Sequence, residues 1–239
     1  MQPKLLVIQH EPDTSLGALE PALLGHGLEL VVIDTADAER AGLDGVDGLI
    51  VLGGEMHPDN PAAALVAERR LIAEAHAGAV PVLGVCLGAQ LVSQACGGSA
   101  GPAARSEIGW TSLAMTAAAA HDALLSGVEA LRLFEWHSYR CTPPEDAVIL
   151  AENDLCVQAF RIGALTWGIQ FHVEVTPEIV AGWAVAGSAE LQREGIDPSL
   201  LIDVSEQTNS RSMAVADQMA RGFGALVRER AHAALAGTA

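Results

Sequence analysis

The amino-acid sequence predicts an α/β fold: a doubly wound, mostly parallel sheet with helices on both faces and an antiparallel extension. Three observations carry this expectation. Through the first half, short β-branched runs alternate with helical segments, the pattern of parallel strands joined by helical crossovers. In the second half, apolar runs follow one another across turn signals, as antiparallel strands do. Between the two lies Gly84-Val85-Cys86-Leu87-Gly88-Ala89-Gln90, which joins a strand to a helix where a parallel sheet presents its carboxyl ends.

Taken in order, residues 4–9 read as a first strand, 14–24 as a helix closed by Gly25 and Gly27, and 28–33 and 46–52 as further strands. A helix is expected from about 61 to 76, with Pro61 at its start and Gly78 beyond its end. The run Val80-Pro81-Val82-Leu83 then leads into Cys86, after which Leu87, Leu91 and Ala95 fall in helical spacing. Strand-like runs follow at 110–116, 131–134, 147–151, 155–161 and 164–171, broken by turns such as Thr142-Pro143-Pro144 and Glu152-Asn153-Asp154. Helices are expected at 177–194 and from about 212 to 234. With no internal repeat and no long linker, residues 1–239 are expected to form a single domain, its C-terminal helices spanning about 176–235.

Composition removes several classes of function. The net charge is -17, and Lys4 is the one lysine among thirteen basic residues, which argues against nucleic acid or an anionic membrane as a partner. No apolar run reaches the roughly 18 residues of a membrane helix, and the start of the chain reads as a strand rather than a signal peptide. Cys86, Cys96, Cys141 and Cys156 show neither a CxxC pair nor a dense disulfide spacing, so a reducing, cytoplasmic setting is expected.

Cys86 carries the first chemical signal. Glycines two positions to either side permit a tight turn and a close backbone approach, the geometry of a nucleophile elbow with sulfur in place of oxygen. The following helix offers unpaired N–H groups that favour a thiolate and, above all at Leu87, can bind an oxyanion. Gly53-Gly54, just after the third strand, could present a further N–H to the same place. The competing reading is that Cys86 is a small buried hydrophobe.

The second signal is Gln170-Phe171-His172-Val173-Glu174. His172 and Glu174 are two apart at a strand end and can project to one side. A histidine can take the thiol proton and return it to a leaving group, and a carboxylate on its far nitrogen would hold the tautomer. Of the other histidines, His137 is held open, whereas His10, His26, His57, His76, His121 and His232 read as structural. No closely spaced ligand pair suggests a metal, and no cofactor is expected.

These motifs, with Glu107-Ile108-Gly109-Trp110 and Gln158-Ala159-Phe160-Arg161, resemble the class I (triad) glutamine amidotransferases over about residues 45–180. The resemblance implies a flavodoxin-like fold and a Cys86, His172, Glu174 triad that hydrolyses the side-chain amide of glutamine through a cysteine thioester. It also implies an oxyanion hole from the backbone N–H groups of Gly54 and Leu87, and substrate contacts from Gln90, Ser138 and Tyr139. Ammonia would pass to a separate synthase partner. The alternative is a free-standing hydrolase of γ-glutamyl amides or peptides; a second alternative is a non-catalytic regulatory or binding subunit. One departure is Glu55, which follows Gly53-Gly54 where most relatives have proline and places a carboxylate near the proposed oxyanion hole. An outward-facing Glu55 is expected.

Overall fold

The computed structural model describes residues 2–128 and 132–236. Its main sheet has eight strands in the order β2-β1-β3-β4-β10-β9-β8-β6, namely β1 (Lys4–Gln9), β2 (Glu29–Asp34), β3 (Gly48–Val51), β4 (Val82–Val85), β6 (Ala114–Met115), β8 (Val148–Glu152), β9 (Val157–Ile162) and β10 (Thr166–Ile169). From β2 to β10 neighbouring strands run parallel, and β9, β8 and β6 extend the sheet antiparallel. This is the expected doubly wound arrangement. The first half matches its sequence pattern because β3 and β4 are buried at every position, as parallel strands covered on both faces must be.

One face of the sheet carries α2 (Ala63–Ala77) and α3 (Leu87–Ala95), whose Leu65, Leu71, Ile72, Leu91 and Val92 pack on Leu49, Val51 and Val82. The other carries α1 (Glu20–Gly25) and α6 (Pro198–Ala236), with Leu23, Met219, Phe223 and Val227 against Leu5, Val7 and Ile50. Phe223 and Val227 are fully buried, each adding about 1.5–3 kcal/mol of hydrophobic stabilisation. No helix among the described residues is long and apolar enough to cross a membrane.

Four expectations need correction. The helix expected over 14–24 is a 3₁₀ turn at Gly17–Leu19 followed by the short α1. Gly17 has φ +46°, and a Cβ there would stand 2.1 Å from the Glu174 carbonyl, so the chain is bent against that residue before it can become helical. Residues 99–112 form a long strand, β5 (Ser99–Ser112), which pairs with β7 (Arg132–Thr142) in a separate two-stranded ribbon instead of extending the sheet. The start of the strand expected at 131–134 lies outside the described residues. β10 is an inner strand, antiparallel to β9 as expected but parallel to β4 on its other side. Finally, 177–194 divides into α4 (Pro177–Ala186) and α5 (Ser188–Glu194), and the last helix begins at Pro198, capped by the Asp197 carboxylate on the Ser199 N–H at 2.9 Å.

Candidate active site

Strands β1, β3, β4 and β10 are contiguous and parallel. Their carboxyl ends therefore deliver four segments, His10, Gly53-Gly54, Cys86 and Gln170 to Glu174, to one rim of the sheet. The last three of these segments, with β7, α4 and α5, enclose a cleft of about 370 Å³ lined by Gly54, Cys86, Leu87, Gln90, His172 and Trp183 among others.

Cys86 occupies the N-cap of α3 with φ 50° and ψ −106°. A non-glycine residue in this region carries strain of order 1–3 kcal/mol. It is held there by its N–H on the Ile169 carbonyl at 2.8 Å and by the Gln90 N–H on its own carbonyl at 3.1 Å. Gly88 makes the turn possible, since a Cβ there would stand 2.0 Å from the Val51 carbonyl oxygen. The Cys86 Sγ lies 3.8 Å from the Trp136 carbonyl oxygen and accepts from Gln170 Nε2 at 3.6 Å. Among the described residues, neither the Gly54 nor the Leu87 N–H donates to a protein group.

The His172 ring is buried beside Cys86, its Nδ1 2.6 Å from Glu174 Oε1. Burial opposes a charge on the ring. The Glu174 carboxylate and a hydrogen-bonded Cys86 outweigh that penalty and hold its pKa well above the usual histidine value. The backbone fixes both residues: the His172 N–H donates to the Phe134 carbonyl at 2.7 Å, and the Glu174 carbonyl accepts from the Ala18 N–H at 2.8 Å. Trp183 meets the imidazole edge-on at 4.8 Å between ring centroids. The sequence reading missed this residue; nothing in its local pattern distinguishes it from the other apolar positions of α4.

The proposed substrate contacts divide. Gln90 and Ser138 line the cleft, but the Gln90 amide nitrogen is already engaged by the Tyr139 carbonyl at 3.2 Å and Gln170 Oε1 at 3.3 Å. The Tyr139 carbonyl also accepts from His137 Nδ1 at 2.9 Å, and its ring stacks on His57 at the cleft wall. Glu55 is exposed, yet it also lines the cleft.

A second Cys/His/Glu grouping was not foreseen, because its members come from three distant segments. Donor atoms of Glu107, His137 and Cys156 lie within 4.8 Å of one another, a composition able to hold a metal ion. In this structure the His137 ring stands between two carboxylates. His137 Nε2 lies 3.2 Å from Glu107 and 3.1 Å from the fully buried Glu135, at ion-pair distance though off the hydrogen-bond line. Asn153 and Gln158 donate to Glu107 at 2.7 and 2.9 Å. Burial and the nearby carboxylates push the Cys156 thiol up to about 12, which keeps it protonated and a poor nucleophile.

Burial opposes the charge on His137, but Glu107 and Glu135 raise its pKa to about 10. Its contribution to stability is full below the unfolded value of about 6.5 and is lost as pH rises through about 10. Between pH 7 and 8.5 stability should therefore fall with rising pH. Burial already raises the Glu135 carboxyl to about 7 and His137 opposes that rise, so the test removes both: His137→Gln with Glu135→Gln should make that slope shallower by up to about 1.4 kcal/mol per pH unit in denaturant titrations.

A family model for glutamine amidotransferase class-I matches residues 20–180, and the chain belongs to that family. It is 31% identical over 155 residues to the glutamine amidotransferase-like protein YfeJ of Salmonella typhimurium, covering 62% of this chain and 65% of that protein. To a glutamine-hydrolyzing GMP synthase subunit of Methanopyrus kandleri it is 30% identical, over 64% of this chain and 82% of the relative. A gamma-glutamyl-L-1-hydroxyisopropylamide hydrolase of a Pseudomonas species is 29% identical over 61% of this chain and 51% of its own length. The chain thus spans less than two thirds of the first and last of these. Among solved structures, a glutamine amidotransferase from Thermotoga maritima superposes with TM-score 0.85 at 25% identity, covering 94% of this chain and 99% of that one.

Proposed function

We propose that the protein hydrolyses the side-chain amide of glutamine and releases ammonia for a separate synthase, with Cys86, His172 and Glu174 as the catalytic triad. The observation that carries this reading is the convergence, at one end of one cleft, of a strained Cys86, a His172–Glu174 pair and two N–H groups without a protein partner. In this mechanism the Cys86 sulfur, its proton transferred to His172, attacks the amide carbon. The resulting oxyanion accepts from the Gly54 and Leu87 N–H groups. His172 protonates the departing ammonia, leaving a γ-glutamyl thioester. His172 then takes a proton from water as it attacks, and glutamate leaves with restoration of the thiol.

Cys86 is favoured over Cys156 because Cys86 lines the cleft and sits at a helix N-terminus, whereas Cys156 is held as a thiol by burial and by its carboxylate neighbours. Residues 1–239 act in this reading as a single amidotransferase domain, and the four free thiols agree with a reducing, cytoplasmic setting. The similarity to a GMP synthase component supports a synthase partner. The similarity to a γ-glutamylamide hydrolase supports a second reading, in which the leaving group is a larger amine and no partner is needed.

Incubation of the purified protein with glutamine and with a panel of γ-glutamyl amides, measuring released ammonia or amine, tests both. Ammonia from glutamine is the expected result. Release from the amides alone would select the hydrolase, and no reaction with either substrate, alone or with added synthase, would reject both.

A further inference from the structure

His10 stands directly behind the proposed oxyanion turn. The Gly53 carbonyl and the Gly54 N–H belong to one peptide unit, and in a trans peptide they point in opposite directions. A donor fixed on the carbonyl therefore sets where the N–H is aimed. His10 Nδ1 lies 2.9 Å from the Gly53 oxygen, and its Nε2 lies 3.1 Å from Glu68 Oε2. Both side chains are fully buried, and the second Glu68 oxygen accepts from Thr35 Oγ1. A Cβ on Gly54 would come within 2.7 Å of His10, so the imidazole packs directly against the turn.

Both ring nitrogens face acceptors, which the imidazolium satisfies at once. Burial disfavours that charge, while Glu68, with Glu11 and the Gly53 carbonyl, more than restores it, so that the pKa is raised. A cation bonded to the carbonyl draws electron density from the peptide and makes the opposite N–H a stronger donor.

We propose that His10, held by Glu68, is a positioning residue that aims and polarises the Gly53–Gly54 peptide so that the Gly54 N–H meets the oxyanion. The proposal rests on the amide-hydrolysing reading of the cleft. It accounts for an ion pair buried beneath a turn of two glycines.

Because His10→Ala would leave Glu68 buried and unpaired, the test pairs it with Glu68→Gln. The double variant should lose about 10- to 100-fold in kcat on glutamine with KM little changed, less than deletion of an oxyanion donor outright. His10→Asn with Glu68→Gln, in which the asparagine amide nitrogen can take the place of Nδ1 without its charge, should recover part of the loss. Alkylation of Cys86 by iodoacetamide, which forms no oxyanion, should proceed at the parent rate in every variant. A crystal structure of the double variant should show the Gly53–Gly54 peptide turned from its parent orientation.

An unchanged kcat, a peptide that keeps its orientation, a His10→Asn, Glu68→Gln protein as slow as the His10→Ala, Glu68→Gln protein, or a parallel loss of alkylation would each overturn the proposal. If the parent protein itself hydrolyses no amide, the functional reading fails separately, and the peptide orientation still decides the role of His10.

Discussion

Cys86→Ala should lower amide hydrolysis by about 10⁴-fold or more, the loss expected when the nucleophile of a concerted unit is removed. Its stability should stay within about 1 kcal/mol of the parent, since the side chain is small and its backbone bonds to Ile169 and Gln90 are kept. Ammonia release and denaturant unfolding, measured on the same preparation, check the two halves. Retained turnover would remove the mechanism, and a large loss of stability would make Cys86 a structural residue.

For His172 the substitution must be chosen with its partner in mind. Glu174 is buried, and its Oε2 already lacks a hydrogen bond. His172→Ala would strand that carboxylate, at a cost of about 3–5 kcal/mol. His172→Asn keeps a donor where Nδ1 stood yet cannot carry a proton between sulfur and leaving group. We expect the asparagine variant to fold and to lose about 10³- to 10⁴-fold in kcat, with the double variant Cys86→Ala, His172→Asn no slower than Cys86→Ala alone. Steady-state rates on the three proteins decide it, and additive losses would mean that the two residues do not act together.

How far the sequence could be read depends on how local each signal is. Cys86 was legible because its strand, its two glycines and its helix lie within a few residues, and His172 with Glu174 because they share one strand end. The ribbon of β5 and β7 was not, since Ser99-Ala100-Gly101-Pro102 has no β-branched alternation and carries a proline; its pairing with β7 supplies what its own residues do not announce. The first part of α6 was hidden in the same way by the polar run from Ser205 to Arg211. His10 and Glu68 are 58 residues apart, and Glu107, His137 and Cys156 come from β5, β7 and a turn before β9. No local pattern joins them; the strand order does. Trp183 belongs with these, because only the packing of α4 across the cleft brings its ring to His172.

The central claim is that the sulfur of Cys86 carries the γ-glutamyl group. Acid quenching of the parent protein during steady-state reaction with glutamine, followed by mass spectrometry of its peptides, tests it most directly. The account predicts one γ-glutamyl thioester, on the peptide containing Cys86. The same adduct on the Cys156 peptide, or ammonia released in full with no adduct on any cysteine, would contradict it.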